Sequence, residues 1–224
     1  TSLGPAAPST LSDRTHRDES MHSVQLHDQP LTPSKIVCVG RNYVAHIEEL
    51  GNEMPGQMVV FNKPNSAITD ILRSQIAGET LHYEAELAFL IGAGRLAAVG
   101  FGLDLTKREL QTALKQQGLP WERAKAFDGS ALFSDFVDLP RDIDSLSLRL
   151  EVDGLPRQAG DVPLMIHKPD AILRELAQFT SLEDGDIVMT GTPEGVGEIH
   201  TGERFEARIL AGTRTLLTAS WVAQ

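Results

Sequence analysis

From residue 35 onward, apolar residues recur at every second position in short segments separated by turn signals. The chain therefore reads as mostly strands, at 35–39, 58–62, 81–92, 145–153, 155–159, 186–190, 203–210 and 214–222. Leu146, Leu148, Leu150 and Val152 alternate with Ser147, Arg149, Glu151 and Asp153, and Asp153-Gly154 supplies a hairpin turn into the next strand. Phe205, Ala207 and Ile209 repeat the alternation before Gly212. Two helices are expected within this β-rich body. The first should begin at Thr106, where Thr106-x-x-Glu109 has the form of a capping box with Leu105 and Leu110 as its staple, and end at Gly118 and Pro120. The second should follow Pro169, carry Ile172, Leu173, Leu176 and Phe179 on one face, and stop before Glu183-Asp184-Gly185. These patterns predict a β-rich α+β fold.

Bulk properties narrow the partners. The 224 residues suffice for one large domain or two small ones, and a hydrophobic share of 41% is ordinary for a globular protein. Twenty Lys and Arg against 31 Asp and Glu give a net charge of −11, which argues against nucleic acid or an anionic membrane as the main partner. A small anionic substrate would need locally placed cations. Cys38 is the one cysteine, so no intrachain disulfide can form, and its apolar run Ile36-Val37-Cys38-Val39 reads as core. No apolar run approaches the roughly 18 residues of a membrane helix, and a cytoplasmic protein is expected. Residues 1–34 read as an N-terminal extension, partly added or flexible, with Met21 as a candidate start. They lack the apolar core of a secretory signal, whereas a processed transit segment stays open. Residues 35–224 are expected to form a single domain.

Within 81–92, Leu81, Tyr83, Leu87, Phe89 and Ile91 hold the odd positions, so His82, Glu84 and Glu86 share the other face. Alternate residues lie roughly 6.7 Å apart on a strand, and two carboxylates at that spacing repel unless water or a cation intervenes. A wet edge strand would give the same pattern as a metal site. A hard divalent cation takes oxygen ligands, and Asp104 is the best third candidate, because it follows an apolar, glycine-containing stretch and directly precedes the first helix. Asp104 would equally serve that helix N-terminus electrostatically.

Other segments carry candidate chemistry. Gly40 to Gly51 reads as a strand end followed by a short helix stopped at Gly51, on which His46 and Glu49 share a face. A carboxylate bonded to imidazole orients it and raises its basicity, which suits a general base; a solvated helix contact would look alike. Thr190 to Gly197 is a Gly-rich loop without P-loop or dinucleotide-site spacing, suited to a small carboxylate or to a tight turn. Lys63 and Lys125 are cations in moderately apolar surroundings, able to face a developing oxyanion or simply to sit on the surface.

In this order, the segments resemble the fumarylacetoacetate hydrolase superfamily, and most closely its acylpyruvase branch. The likeness spans roughly 35–210. It rests on Gly-Arg-Asn-Tyr-x-x-His at 40–46, Phe-x-Lys-Pro at 61–64, His-Tyr-Glu-Ala-Glu-Leu at 82–87, Asp-Leu-Thr-x-Arg-x-Leu-Gln at 104–111, Gly-Leu-Pro-Trp through Lys125 and Phe127-Asp128, and Thr-Gly-Thr-Pro-x-Gly-Val-Gly at 190–197. The resemblance implies a mixed β-roll catalytic domain, a homodimer, and Mg²⁺ or Mn²⁺ held by Glu84, Glu86 and Asp104. It implies Arg41, Tyr43, Lys63, Arg108, Gln111 and Thr192 as substrate contacts, and His46, Glu49 and Lys125 as the catalytic group. The implied reaction is hydrolysis of a C–C bond in an acylpyruvate, releasing pyruvate and a carboxylic acid. In that scheme Glu49 orients His46, His46 deprotonates a water, and Lys125 steadies the oxyanion. Fumarylpyruvate hydrolysis in aromatic-acid catabolism and oxaloacetate decarboxylation are the alternatives with the same metal chemistry. A non-catalytic metal-binding homologue is the third, against which the retained triad, dyad and Lys125 argue.

Overall fold

The computed structural model describes residues 21–51 and 53–224; the sequence expectations for residues 1–20 lie outside these. Eight strands form one mixed sheet. In chain order they are β1 (Lys35–Gly40), β2 (Val59–Pro64), β3 (Ile68–Thr69), β4 (Ala85–Gly92), β5 (Arg95–Asp104), β6 (Ala131–Phe133), β7 (Val137–Asp138) and, after a second sheet, β10 (Ile187–Met189). Their spatial order is β2-β1-β10-β4-β5-β6-β3, with β7 also pairing β5. The β10–β1 and β6–β3 pairs are parallel and the others antiparallel. The second sheet is antiparallel: β8 (Leu146–Val152), β9 (Leu155–Asp161), β11 (Arg204–Ala211) and β12 (Arg214–Val222), in the order β9-β8-β11-β12. Among the described residues, four short α-helices accompany these sheets: α1 (Val44–Glu49), α2 (Arg108–Gln116), α3 (Glu122–Lys125) and α4 (Pro169–Leu176).

The two faces of β4 explain the layering. Leu87, Phe89 and Ile91 pack with Leu146, Leu148, Leu150, Phe205 and Ile209 of the second sheet. Ala88 and Leu90 face the other way, into a smaller core with Ile36, Cys38, Phe136 and Met189. The second core also buries Val24, from a hairpin pairing Val24–Leu26 with Gln29–Leu31 inside the stretch read as an extension. The β-rich α+β fold with a mixed roll is therefore what forms, built as two sheets around one main core.

Three local expectations change. β5 was not foreseen as a strand, because both of its faces are buried and its glycines break the alternation. A Cβ at Gly102 would lie 2.9 Å from Met189 Cε, and one at Gly100 3.0 Å from the Phe136 ring, so glycine lets these side chains pack closely on this face. The first helix starts at Arg108 with no side-chain cap bond, in place of the Thr106 box. Thr106 is instead drawn into the ladder, pairing His82 through reciprocal N–H···O bonds of 2.9 and 3.0 Å. Phe179 falls beyond the end of α4 and is 62% exposed, so it does not extend that apolar face.

Candidate metal centre

The carboxylate cluster follows from strand register. Glu86 and Ala88 point to the same face of β4, Gly102 pairs with Glu86, and the Asp104 N–H donates to the Glu84 carbonyl at 2.9 Å. Asp104 is thereby set beside the pair of glutamates. The strand foreseen at 81–92 breaks at Glu84, between His82–Tyr83 and β4, and it is a central strand rather than a wet edge. Glu84, Glu86 and Asp104 are 6%, 2% and 1% exposed, and their ligand oxygens lie within 4.8 Å of one another.

Cations hold this cluster from behind and from the side. Lys125 Nζ donates to Glu84 Oε2 at 2.8 Å, Asp104 Oδ2 at 2.7 Å and the Thr106 hydroxyl at 2.6 Å. Arg108 donates to Glu84 Oε1 and, at 2.7 Å, to Gln111 Oε1. Lys63, fully buried, donates to the carbonyls of Lys125 and Ser130, and its ammonium lies 2.8 Å from Asp104 Oδ1. That contact is a charge contact whose alignment leaves Asp104 Oδ1 without a hydrogen bond. Glu86 accepts from the Gly191 N–H at 2.7 Å.

The charges sort accordingly. Burial, then Asp104 and Glu84, push the Glu86 carboxyl well above its ordinary value, and the Gly191 N–H only partly offsets this. Burial would raise Glu84 as well, yet Lys125 and Arg108 outweigh it and hold Glu84 below the usual carboxylate range. Burial lowers the Lys125 ammonium, and Asp104 and Glu84 more than restore it, leaving it raised. Three hard oxygen donors converging at one buried point, one of them costly to ionise and another with an unbonded oxygen, fit a divalent cation.

The dyad and the Gly-rich loop close the other side. His46 Nδ1 lies 3.1 Å from Glu49 Oε2, and Glu49 Oε1 accepts from the Gly195 N–H at 2.9 Å. Gly195 sits at φ +93°, and a Cβ there would lie 1.9 Å from the Arg157 carbonyl, so only glycine fits. Gln158 fixes the loop to β4: its Nε2 donates to Thr192 Oγ1 and to the Pro193 carbonyl, both at 2.8 Å, and its Oε1 accepts from the Ala85 N–H at 2.9 Å. Asn42 fixes it to the Arg41 turn by donating to the Thr190 carbonyl at 2.7 Å.

One cavity gathers these groups. Of the candidate residues, Arg41, His46, Glu84, Glu86, Asp104, Arg108, Gln111, Lys125 and Thr192 line it, together with Lys115 and Trp121. About 420 Å³ of space not filled by protein atoms lies within it, open solvent at its mouth included. Glu49, Tyr43 and Lys63 do not line it; Glu49 reaches it only through His46. Tyr43 is buried in the main core with its hydroxyl unbonded, and Lys63 lies behind Asp104. Gln158 and Lys115 are not singled out by the sequence, and Asn42 and Trp121 figure only within the motifs that carry the resemblance. Of these, Lys115 was visible at helical spacing from Arg108 and Gln111, whereas a lone polar residue such as Gln158 gave no signal.

A two-sheet β-roll whose one cavity is lined by a buried carboxylate triad and by a histidine held by a glutamate behind it defines the class of protein. Residues 35–218 match the family described as fumarylacetoacetate (FAA) hydrolase C-terminal, and the chain belongs to this family of enzymes. It is 42% identical over 198 residues to oxaloacetate tautomerase YcgM of Escherichia coli, covering 80% of this chain and 89% of that one. It is 34% identical to the mitochondrial oxaloacetate decarboxylase of Dictyostelium discoideum, over 80% of this chain and 89% of that one. The crystal structure of fumarylpyruvate hydrolase from Pseudomonas aeruginosa in complex with Mn²⁺ and pyruvate superposes with a TM-score of 0.82 at 30% identity, covering 94% of this chain and 99% of that one. Among the described residues, no helix is long and apolar enough to cross a membrane.

Proposed function

We propose that this chain is a divalent-cation-dependent oxaloacetate tautomerase, interconverting the keto and enol forms. The observation that carries this reading is the carboxylate-oriented imidazole of His46 lining the same cavity as the buried triad. The names borne by relatives up to 42% identical support the substrate. Glu84, Glu86 and Asp104 would hold Mg²⁺ or Mn²⁺, which when bound supplies Lewis-acid polarisation of a 2-oxo group and so acidifies the neighbouring C–H.

The chain's own residues supply the proton movement and the anchoring. The Glu49 carboxylate against Nδ1 selects the tautomer protonated there, leaving Nε2 of His46 free to accept a proton. Tautomerisation breaks one C3–H bond and forms one O–H bond, so a single group that receives and returns a proton suffices. Arg108, Gln111, Thr192 and Lys125 line the cavity around that imidazole and bind and orient the anionic substrate. Lys125 carries its charge at the reacting end and faces the oxyanion of the enolate.

The same groups support a second reading, hydrolysis of an acylpyruvate or fumarylpyruvate, in which His46 takes its proton from water. The likeness to the pyruvate-bound fumarylpyruvate hydrolase favours it. Decarboxylation of oxaloacetate would instead need no water nucleophile. A substrate panel separates the three: ketonisation of enol-oxaloacetate, and pyruvate release from oxaloacetate, acetylpyruvate and fumarylpyruvate, compared as kcat/KM. Tautomerisation dominating by at least tenfold supports the proposal, and faster pyruvate release from an acylpyruvate replaces it with the hydrolase.

A further inference from the structure

Outside the triad and the dyad, the cavity mouth carries a second concentration of positive charge. Arg41 and Lys115 both line the cavity and are half-buried, whereas Glu84, Glu86, Asp104 and Lys125 at its floor are almost fully buried. Helix α2 builds part of this gradient. Arg108, Gln111 and Lys115 recur at spacings of three and four, so they lie on one helix face, and all three line the cavity. Arg108 and Gln111 are bonded to each other and Arg108 reaches Glu84; Lys115 follows one turn further along.

Arg41 adds the other side. Its backbone is at φ +56°, a left-handed turn between Gly40 and Asn42. Its guanidinium stands 6.0 Å from the Trp121 ring centroid, another cavity-lining group. Burial lowers the Lys115 ammonium, Arg41 and Arg108 lower it further, and Glu84 offsets them only in part, so a further anion at the mouth would ease the remaining repulsion.

We propose that Lys115 and Arg41 receive the distal carboxylate of the substrate and so select dicarboxylic 2-oxo acids over 2-oxo acids with an uncharged tail. This rests on the proposed function for the placement of the 2-oxo end at the triad, and it names what reads the opposite end. Specificity then lies in the mouth, while the floor binds the part common to every candidate.

The test separates recognition from turnover by using two unreactive ligands of equal chain length, 2-oxoglutarate and 2-oxovalerate, which differ in the distal carboxylate. Binding to the Mn²⁺-loaded protein is read by isothermal titration calorimetry, with wild type, Lys115→Met and Lys115→Arg. Wild type should prefer 2-oxoglutarate by about tenfold, the scale of one charge-assisted hydrogen bond. Lys115→Met should lose that preference while binding 2-oxovalerate within about twofold of wild type, and Lys115→Arg should restore most of it. An equal loss for both ligands would make Lys115 merely structural and overturn the proposal, as would the absence of a preference in wild type. Because the readout is binding, failure of tautomerase activity alone would count against the proposed function and leave this result standing.

Discussion

Lys125 Nζ stands 2.7 Å from Asp104 Oδ2, bonded directly to the carboxylate triad. The same ammonium also donates to Glu84, so a buried cation already partly neutralises two of the three carboxylates. Lys125 thus has two roles, electrostatic support of the triad and contact with the substrate, and the first can be measured by itself.

Replacing Lys125 with Met should destabilise the metal-free protein by about 3–5 kcal/mol, because it leaves buried carboxylates uncompensated. A saturating divalent ion should recover much of that loss. Thermal unfolding of wild type and Lys125→Met, each with chelator and with Mn²⁺, checks this. Equal destabilisation with and without the ion would show that Lys125 does not act on the triad's charge.

Metal binding should itself appear as stability. At an ion concentration about a hundredfold above Kd, a ligand bound by the folded state adds about 2.7 kcal/mol. Glu86→Gln should abolish most of this increment while leaving the chelator-treated protein as stable as wild type or more so, since burial and its neighbours already disfavour the ionised Glu86. An unchanged Mn²⁺ increment in Glu86→Gln would remove Glu86 from the ligand set.

Much of this site was legible in the sequence because its parts are local or periodic. Period two put Glu84 and Glu86 on one face, and helical spacing put His46 beside Glu49. What escaped depends on long-range pairing. β5 carries Asp104, but both of its faces are buried and Gly100 and Gly102 admit Phe136 and Met189, so no alternation marks it. Thr106 looked like a helix cap until the His82 bridge and the Lys125 bond claimed it. Gln158 lies 34 residues from the Thr192 it positions, and nothing local announces that contact.

The Gly-rich loop should behave as a support for the dyad. Gly195→Ala should destabilise the protein by several kcal/mol, because a Cβ at that position meets the Arg157 carbonyl and the backbone holds φ +93°. Glu49→Gln tests the same link more gently. It should lower kcat by about 10²-fold, the lower end of a general-base contribution, with KM changed little. A large KM effect with kcat preserved would make Glu49 a binding residue instead.

Asp186 gives a pH prediction away from the site. It is fully buried, and burial alone would raise its pKa, but the Lys35 ammonium, the Glu183 N–H, the Ser34 hydroxyl and the Lys35 N–H pull it below the ordinary value. A carboxylate depressed in the folded state contributes stability above its unfolded pKa of about 3.9, and that contribution is lost as pH falls through the lower folded value. Asp186→Asn should therefore be less stable than wild type at pH 7, with the gap narrowing below about pH 4. Urea unfolding across that range reads the gap directly, and a constant gap would mean that Asp186 does not carry the charge-dependent part.

The decisive measurement is the rate of enol-oxaloacetate ketonisation, followed by loss of enol absorbance, for wild type loaded with Mg²⁺ or Mn²⁺, for chelator-treated wild type, and for Glu84→Gln and His46→Ala. A metal-dependent acceleration lost in both variants, with little pyruvate released, is the predicted result. Undiminished ketonisation in the chelator-treated protein, or pyruvate release from acylpyruvates outrunning it, would contradict a tautomerase built on Glu84, Glu86 and Asp104.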